Sequence, residues 1–363
     1  MQALILAGGE GTRLRPLTST TPKPVLPLAN RPFITFMIDW LASHGVEEVV
    51  LSCGFLASEV RAVLGDGEPG GPQLHYVEEE EPLDTAGAVK FAEPLLGERF
   101  LVMNGDILAD FDLTALQNFH SEHEAALTIA LTPVEDPSAY GLVRTHDDGR
   151  VEAFLEKTSA DQFDTNMINA GAYVLERRVL DMMEDGARVS FERDIFPALV
   201  GAGLYACEAD GYWLDIGTPD RYLKGTRDIL EGAVKTAVGA SMGNGSLKIG
   251  DDATINPRAR LNGPALAGRD CAVGASAQVG PMTVLGDGCV IGEGAIVEHS
   301  VLYESVAVEP GAVVRDSIVG AGARIGAESQ VEGTVVGAEA TIGSGSRLSG
   351  ERVDAGAPLA SEK

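Results

Sequence analysis

The chain has 363 residues, 45% of them hydrophobic and 22% charged, a globular composition long enough for two domains and not that of a disordered chain. Lys and Arg number 27 against 54 Asp and Glu, for a formal net charge of −27. A field of that sign repels nucleic-acid backbones and anionic lipid, so neither nucleic acid nor a membrane is expected as a partner, and an anionic substrate needs a locally basic pocket.

The N-terminal run Met1–Ala7 is apolar but lacks the positive flank of a signal peptide, and reads as a buried strand. Phe33, Met37, Trp40 and Leu41 stand at helical spacing over Phe33–Ser43, with Gly45 as the stop. Val49–Cys53 is a strand, Glu59–Leu64 a short helix, Leu74–Val77 a strand, Ala86–Leu95 a helix and Phe100–Met103 another strand. Strands interleaved with helices predict an α/β domain with a mixed, mostly parallel sheet. No apolar run approaches the ~18 residues of a membrane span. The four cysteines (Cys53, Cys207, Cys271, Cys289) form no CxxC pair, which fits a reducing cytoplasm and gives no zinc site. The six histidines show no metal spacing and are expected at the surface or in caps.

Glycine numbers 44, about 12% against a usual ~7%, and concentrates after residue 236. From Ile249 an aliphatic or small residue recurs every sixth position, through Ile255, Leu261, Ala267, Val273, Val279, Leu285, Ile291 and Val297. Shorter steps then interrupt the period, which continues to Leu348. Neither a helix nor an ordinary strand has a period of six; a three-sided solenoid with six residues per side does. This half resembles the hexapeptide-repeat left-handed parallel β-helix. The organisation expected is 1–236 for the α/β domain, 247–356 for the β-helix and 357–363 as a tail.

After the first strand, Gly8-Gly9-Glu10-Gly11-Thr12-Arg13-Leu14 has neither the third glycine of a dinucleotide fingerprint nor the Lys of a Walker A loop. Glycines there let backbone N–H groups approach phosphate closely. Arg13, with Lys23 ten residues on in Pro22-Lys23-Pro24, makes the turn a candidate polyphosphate clamp. Asp106 of Asn104-Gly105-Asp106 follows an apolar strand, where open α/β sheets bind ligands. Asp215 follows Trp213-Leu214. Two carboxylates at strand ends can hold Mg²⁺ between phosphate oxygens.

With Glu81-Pro82-Leu83-Asp84-Thr85-Ala86-Gly87, Phe154-Leu155-Glu156-Lys157, Asn169-Ala170-Gly171 and Trp213-Leu214-Asp215-Ile216-Gly217, these motifs resemble, in order, those of the sugar nucleotidyltransferases, or nucleoside-diphosphate-sugar pyrophosphorylases. The resemblance covers essentially the whole α/β half and implies a Rossmann-like nucleotidyltransferase domain. It implies that Leu6, Gly8, Gly9, Gly11, Thr12, Arg13, Lys23, Thr85 and Gly87 hold the nucleotide, with Glu80 or Glu81 at the base edge. It assigns Asp106 and Asp215 to Mg²⁺, Lys157 to the sugar-1-phosphate, and Gly141, Glu156 and Asn169 to the sugar. Arg13, Lys23, Asp106, Lys157 and Asp215 are then the catalytic set.

The reaction implied is attack of a sugar-1-phosphate on an NTP, releasing pyrophosphate, with GTP and mannose-1-phosphate as the pair these motif versions favour. A glucose-1-phosphate uridylyl- or thymidylyltransferase, a heptose-1-phosphate guanylyltransferase and a non-enzymatic NDP-sugar-binding subunit are the alternatives. Asp84 departs from the glycine usual in guanylyl-type relatives and is expected to alter the floor of the base pocket. The β-helix, whose only histidine is His299, is expected to assemble a homo-oligomer, a dimer or tetramer.

Overall fold

The computed structural model describes residues 1–54, 57–156, 165–242 and 245–359. In chain order the elements that position the site are β1 (Gln2–Leu6), α1 (Phe33–Ser43), β2 (Glu48–Cys53), α2 (Ala57–Leu64), β3 (Gln73–Glu78), α3 (Asp84–Phe91), β4 (Arg99–Asn104) and α4 (Leu113–Glu122). There follow β5 (Leu127–Pro133), β6 (Gly141–Thr145), β7 (Val151–Glu156), β8 (Met167–Glu176), β9 (Leu204–Glu208) and α5 (Pro219–Glu231). Two compact units emerge: Met1–Gly9 with Phe36–Trp213, and Glu10–Thr35 with Leu214–Lys363. This is not the same cut as the change of sequence pattern, because residues 10–35 belong to the unit that contains the repeats.

The first unit is built on a nine-stranded mixed sheet. The continuous apolar runs β1, β2 and β4 are parallel neighbours, and β3 extends them beyond β2. The long strand β8 runs antiparallel to β4 and β5. The β6–β7 pair is antiparallel as well, while β9 is parallel to β5. Strands with both faces covered need no polar alternation, and Leu4, Val50, Phe100, Val102, Ile129 and Tyr173 are buried in one core.

One expectation fails here. His120 is fully buried, with Nδ1 2.8 Å from Thr128 Oγ1 and Nε2 3.1 Å from Glu176 Oε1. The spacing Leu113, Leu116, His120 puts the ring on the inner face of α4, and burial lowers its pKa by disfavouring the imidazolium.

In the second unit the repeats form a three-sided parallel β-helix, with faces of seven, seven and six short strands. The strand containing Ala267 pairs in parallel with that containing Leu285, and the latter with that of Leu302, so each coil adds one rung to every face. The predicted inward positions from Ala267 to Leu348 form its core. Ile249 is the exception at 45% exposure: it lies on the first strand of its face, which pairs only with the strand above. A second inward set two residues earlier, Cys271, Ala277, Cys289 and Ala295 among them, escapes the six-residue period because its members are small. Glycine recurs after the inward residue because coils stack backbone on backbone. A Cβ on Gly286 would lie 2.6 Å from Glu304 N.

The stack makes a contrast testable by urea unfolding. Ile325→Ala, in the fully buried column, is expected to cost about 2–5 kcal/mol. Ile249→Ala, on the uncovered end, should stay within about 0.5 kcal/mol of wild type.

Candidate active site

In the first unit Gly8 and Gly9 follow β1, Glu80 and Glu81 follow β3 and Asp106 follows β4, at the carboxyl ends of strands where open sheets bind ligands. Leu6 pairs with Asn104, and the Gly105 N–H donates to the Leu6 carbonyl at 3.0 Å. Gly8 lies against the chain after β2, a Cβ there being 3.4 Å from Gly54 N. A Cβ on Gly9 would meet no atom within 4 Å among the described residues. Packing therefore does not require glycine at position 9, and the space beside its backbone is available to a ligand. Asp106 is half-buried just past β4.

Asn169-Ala170-Gly171 is an irregularity in β8. Its register against β5 shifts between Asn169 and Tyr173, the device by which a strand re-aims one side chain. The Gly171 N–H donates to Asn169 Oδ1 at 2.9 Å, and Asn169 Nδ2 donates to the Tyr173 hydroxyl at 2.9 Å. Burial pushes the Tyr173 phenol well above its ordinary pKa, so it stays a neutral hydrogen-bonding group. Gly171 has φ +73°, and a Cβ would come within 2.8 Å of Asn104 Nδ2. Trp213 Nε1 donates to the Ala170 carbonyl at 2.8 Å, and Tyr140 packs edge-on against the Trp213 ring. Gly141 faces the Phe154 ring, 2.6 Å from where its Cβ would stand. Glu156 closes β7, and Lys157 lies outside the described residues.

The acidic run resolves into inner and outer members. Glu80 and Glu81 are exposed. Glu79, which the sequence does not single out, accepts from Ser52 Oγ at 2.7 Å and from the Leu83 N–H at 3.1 Å, tying the end of β2 to the start of α3. Asp84 sits at φ +61°, a conformation that glycine adopts without strain. Its carboxylate accepts from Arg188 Nε at 3.0 Å and Arg193 Nη2 at 2.6 Å. Thr85 Oγ1 donates to Glu192 and accepts from the Phe191 N–H. The Gly87 N–H donates to the Val189 carbonyl, and a Cβ at Gly87 would be 2.6 Å from the Ala187 carbonyl oxygen. Thr85 and Gly87 thus fasten α3 to residues 187–192. Burial and the Glu78 and Glu79 carboxylates push the Cys53 thiol up to about 12, which holds it as an unreactive thiol.

Arg13 and Lys23 fall in the second unit. Gly11 has φ +60°, with Thr18 and Lys23 within 3.2 Å of where a Cβ would be, and Thr18 Oγ1 donates to the Gly11 carbonyl at 2.9 Å. Lys23 is thereby packed against the glycine turn. Thr12 and Arg13 are exposed. Asp215 is only 8% exposed, 2.7 Å from Arg221 Nη1 and 4.0 Å from Arg13 Nη2. Gly217 completes the group: a Cβ there would be 2.4 Å from Arg13 Nη2.

Arg221 was missed, although a signal exists. It stands in the first turn of α5, after the Thr218 cap and Pro219, where the helix dipole disfavours a cation. A basic residue there, six positions after a carboxylate, serves a partner. Among the described residues no group of three or more His, Cys, Asp or Glu could hold a metal unaided. No helix there is long and apolar enough to cross a membrane.

Comparison with known proteins defines the class. Residues 2–232 match the Nucleotidyl transferase family and residues 261–355 the GMPPB C-terminal domain. The chain belongs to the nucleotidyl transferase family, and it is an enzyme. It is 40% identical over 278 residues to the mannose-1-phosphate guanylyltransferase of Mycobacterium tuberculosis, covering 75% of this chain and 76% of that one. It is 32% identical over 346 residues to the UTP–glucose-1-phosphate uridylyltransferase of Synechocystis sp., covering 85% and 84%. Among solved structures, HddC from Yersinia pseudotuberculosis complexed with GMP-PN is 30% identical with a TM-score of 0.54, covering 62% of this chain and 98% of that one.

The β8 irregularity yields a stability test. Gly171→Ala places a Cβ in the left-handed region, at a cost of about 1–2 kcal/mol, and against Asn104 as well. Urea denaturation should show a loss of at least that size.

Proposed function

We propose that the chain is a mannose-1-phosphate guanylyltransferase, joining GTP and mannose-1-phosphate to give GDP-mannose and pyrophosphate. The likeness to the Mycobacterium tuberculosis protein over three quarters of both chains supports the substrate pair. The chemistry rests on one structural observation: Arg13, Lys23 and Asp215 are gathered around the Gly11 turn in a chain of net charge −27. The competing uridylyltransferase reading is supported by the Synechocystis relative and by Asp84. Residues 1–236 are taken as the catalytic domain.

An oxygen of the sugar phosphate attacks the α-phosphorus. A new P–O bond forms, the bond to the β-phosphate bridging oxygen breaks, and its electron pair leaves with pyrophosphate. A phosphate monoester is anionic at neutral pH, so no general base is needed. What must be supplied is alignment of two mutually repelling anions and stabilisation of the leaving charge. Arg13 and Lys23 serve the triphosphate together with the N–H groups of Gly8, Gly9 and Gly11. Lys157 neutralises the sugar phosphate. Asn169, oriented by Tyr173 and Gly171, reads sugar hydroxyls together with Glu156 and the backbone at Gly141.

Glu80 or Glu81 accepts from the guanine N1–H and N2–H. Asp84, engaged by Arg188 and Arg193, acts on the base through the segment it holds.

The described residues offer no cluster of three or more His, Cys, Asp or Glu ligands, which suits Mg²⁺, an ion that takes one or two carboxylates and completes its shell with water and phosphate oxygens. Asp106 and Asp215 would hold it, and when bound it neutralises charge on the phosphates. A cytoplasmic homo-oligomer, dimer or tetramer, assembled through the β-helix completes the proposal. Sedimentation of the full chain as a monomer at micromolar concentration would refute that part.

Four measurements bear on the chemistry. In a pyrophosphate-release screen of NTPs and sugar-1-phosphates, GTP should exceed UTP and dTTP by about 10- to 100-fold in kcat/KM, the factor for one charge-assisted hydrogen bond. Equal rates would remove the guanine assignment. Asp106→Ala and Asp215→Ala should each lower kcat by at least about 100-fold, and near-normal Mg²⁺-dependent turnover would take that residue out of the site. Gly9→Ala should leave the melting temperature unchanged but raise the KM for the NTP by about tenfold or more, as loss of a phosphate contact predicts.

A further inference from the structure

The residues proposed to face the triphosphate are mounted on the β-helix, and specific bonds within the second unit hold them there. Residues 26–33 form a hairpin: Pro27-Leu28 pairs with Arg31-Pro32, and the tip residues Ala29 and Asn30 both have positive φ, as a two-residue hairpin loop requires. From that tip Asn30 Nδ2 donates to the Leu285 carbonyl at 2.7 Å. At the other end of the segment, Arg352 Nη1 donates to the Arg15 carbonyl at 3.0 Å. Arg15 closes the short helical turn Thr12–Leu14 that carries Arg13. The backbone is therefore pinned two residues after Arg13 and seven residues after Lys23.

Helix α5 is fastened in the same way. Arg221 on its first turn holds Asp215. The next residue, Tyr222, is buried, with its hydroxyl 3.2 Å from that of Tyr303. Arg227 Nη2 donates to Asp316 Oδ1 at 2.6 Å, one turn further on. The helix that presents Asp215's partner is thus anchored by two β-helix side chains. An assembly domain that merely trailed the enzyme would need none of these bonds.

We infer that the β-helix is a structural part of the catalytic machinery, with Asn30, Arg352, Tyr303 and Asp316 as positioning residues that hold Arg13, Lys23 and Asp215 in place. Their role in catalysis rests on the function proposed above, whereas the anchoring itself does not. Arg352 is the sharpest probe because it is exposed, on the outer face of its strand while the neighbouring Val353 fills the buried column, and its variants should fold.

In the full-length protein without substrates, Arg352→Met is expected to raise amide exchange across residues 11–31 about fivefold, the factor for one ordinary hydrogen bond. Exchange in β4 should not change, and Arg352→Lys, which keeps a donor, should recover most of the protection. Asn30→Ala should act on the same segment. In turnover, Arg352→Met should raise the KM for the NTP several-fold without moving that for the sugar-1-phosphate, and Arg352→Lys should reverse this. Unchanged exchange in both Arg352→Met and Asn30→Ala, or a rise spread over the whole chain, would overturn the inference. If wild type turns over no NTP with any sugar-1-phosphate, the functional proposal fails, while the exchange result still decides the anchoring.

Discussion

A buried carboxylate held by guanidinium groups is the interaction on which the end of this protein proposed to face phosphate depends. Asp215 is almost entirely removed from water, where an unpaired charge is costly. Arg221 meets it at 2.7 Å, with Arg13 at 4.0 Å. The pairing requires that α5 begin four residues after the strand Trp213–Asp215, and the Thr218 cap with Pro219 fixes that start. It also requires an absent side chain at Gly217, since a Cβ would occupy the place of the Arg13 guanidinium. One ion pair thus dictates a cap, a helix register and a glycine. It orients Asp215 without using up Arg13, which remains largely exposed.

The overall charge sharpens this point. A chain of net charge −27 repels a nucleoside triphosphate at long range, and screening confines that repulsion to about 10 Å at ordinary ionic strength. Short-range geometry has to supply the attraction. The Gly11 turn brings Lys23 into packing contact and carries Arg13 two residues on, so the positive charge is concentrated where backbone N–H groups can also point at an anion. In the first unit Asp84 is likewise held by guanidinium groups, but Asn169 is organised by neutral hydrogen bonds. Asn169 is oriented by a phenol and a backbone N–H, as the sugar-hydroxyl contact proposed for it requires.

Much of this was legible in the sequence, for reasons that differ between elements. The helix Phe33–Ser43 and the strands around Val50 and Val102 are apolar runs of a length and spacing that admit one reading, and the six-residue period exposes the β-helix directly. His120 was misread because a polar residue type outweighed its position four and seven residues beyond Leu116 and Leu113 on a buried helical face. The small inward residues of the β-helix, such as Ala277 and Cys289, carry too little hydrophobic signal to register as a second period. Glu79 is indistinguishable from Glu78, Glu80 and Glu81 until the fold brings Ser52 and Leu83 to it. Asp84 was visible as a departure, but its partners Arg188 and Arg193 lie more than a hundred positions away, and no local pattern connects them.

The same limit explains why the repeats read as a separate, trailing domain. Sequence pattern reports which side chains point into a column, and by that criterion the repeats are self-contained. It does not report which backbone carbonyls remain able to accept a second bond at the ends of the rungs. The Leu285 carbonyl already accepts from the Gly268 N–H within the ladder and has a second lone pair for Asn30. Arg352 stands on the outside of its strand, where its side chain can reach the Arg15 carbonyl. These are surface features of a solenoid whose interior alone is periodic. A regular stack that repeats its backbone geometry every coil provides a rigid base on which a short irregular segment can be held at a few points. Residues 10–35 have little secondary structure of their own to hold them, so these few bonds carry much of their positioning.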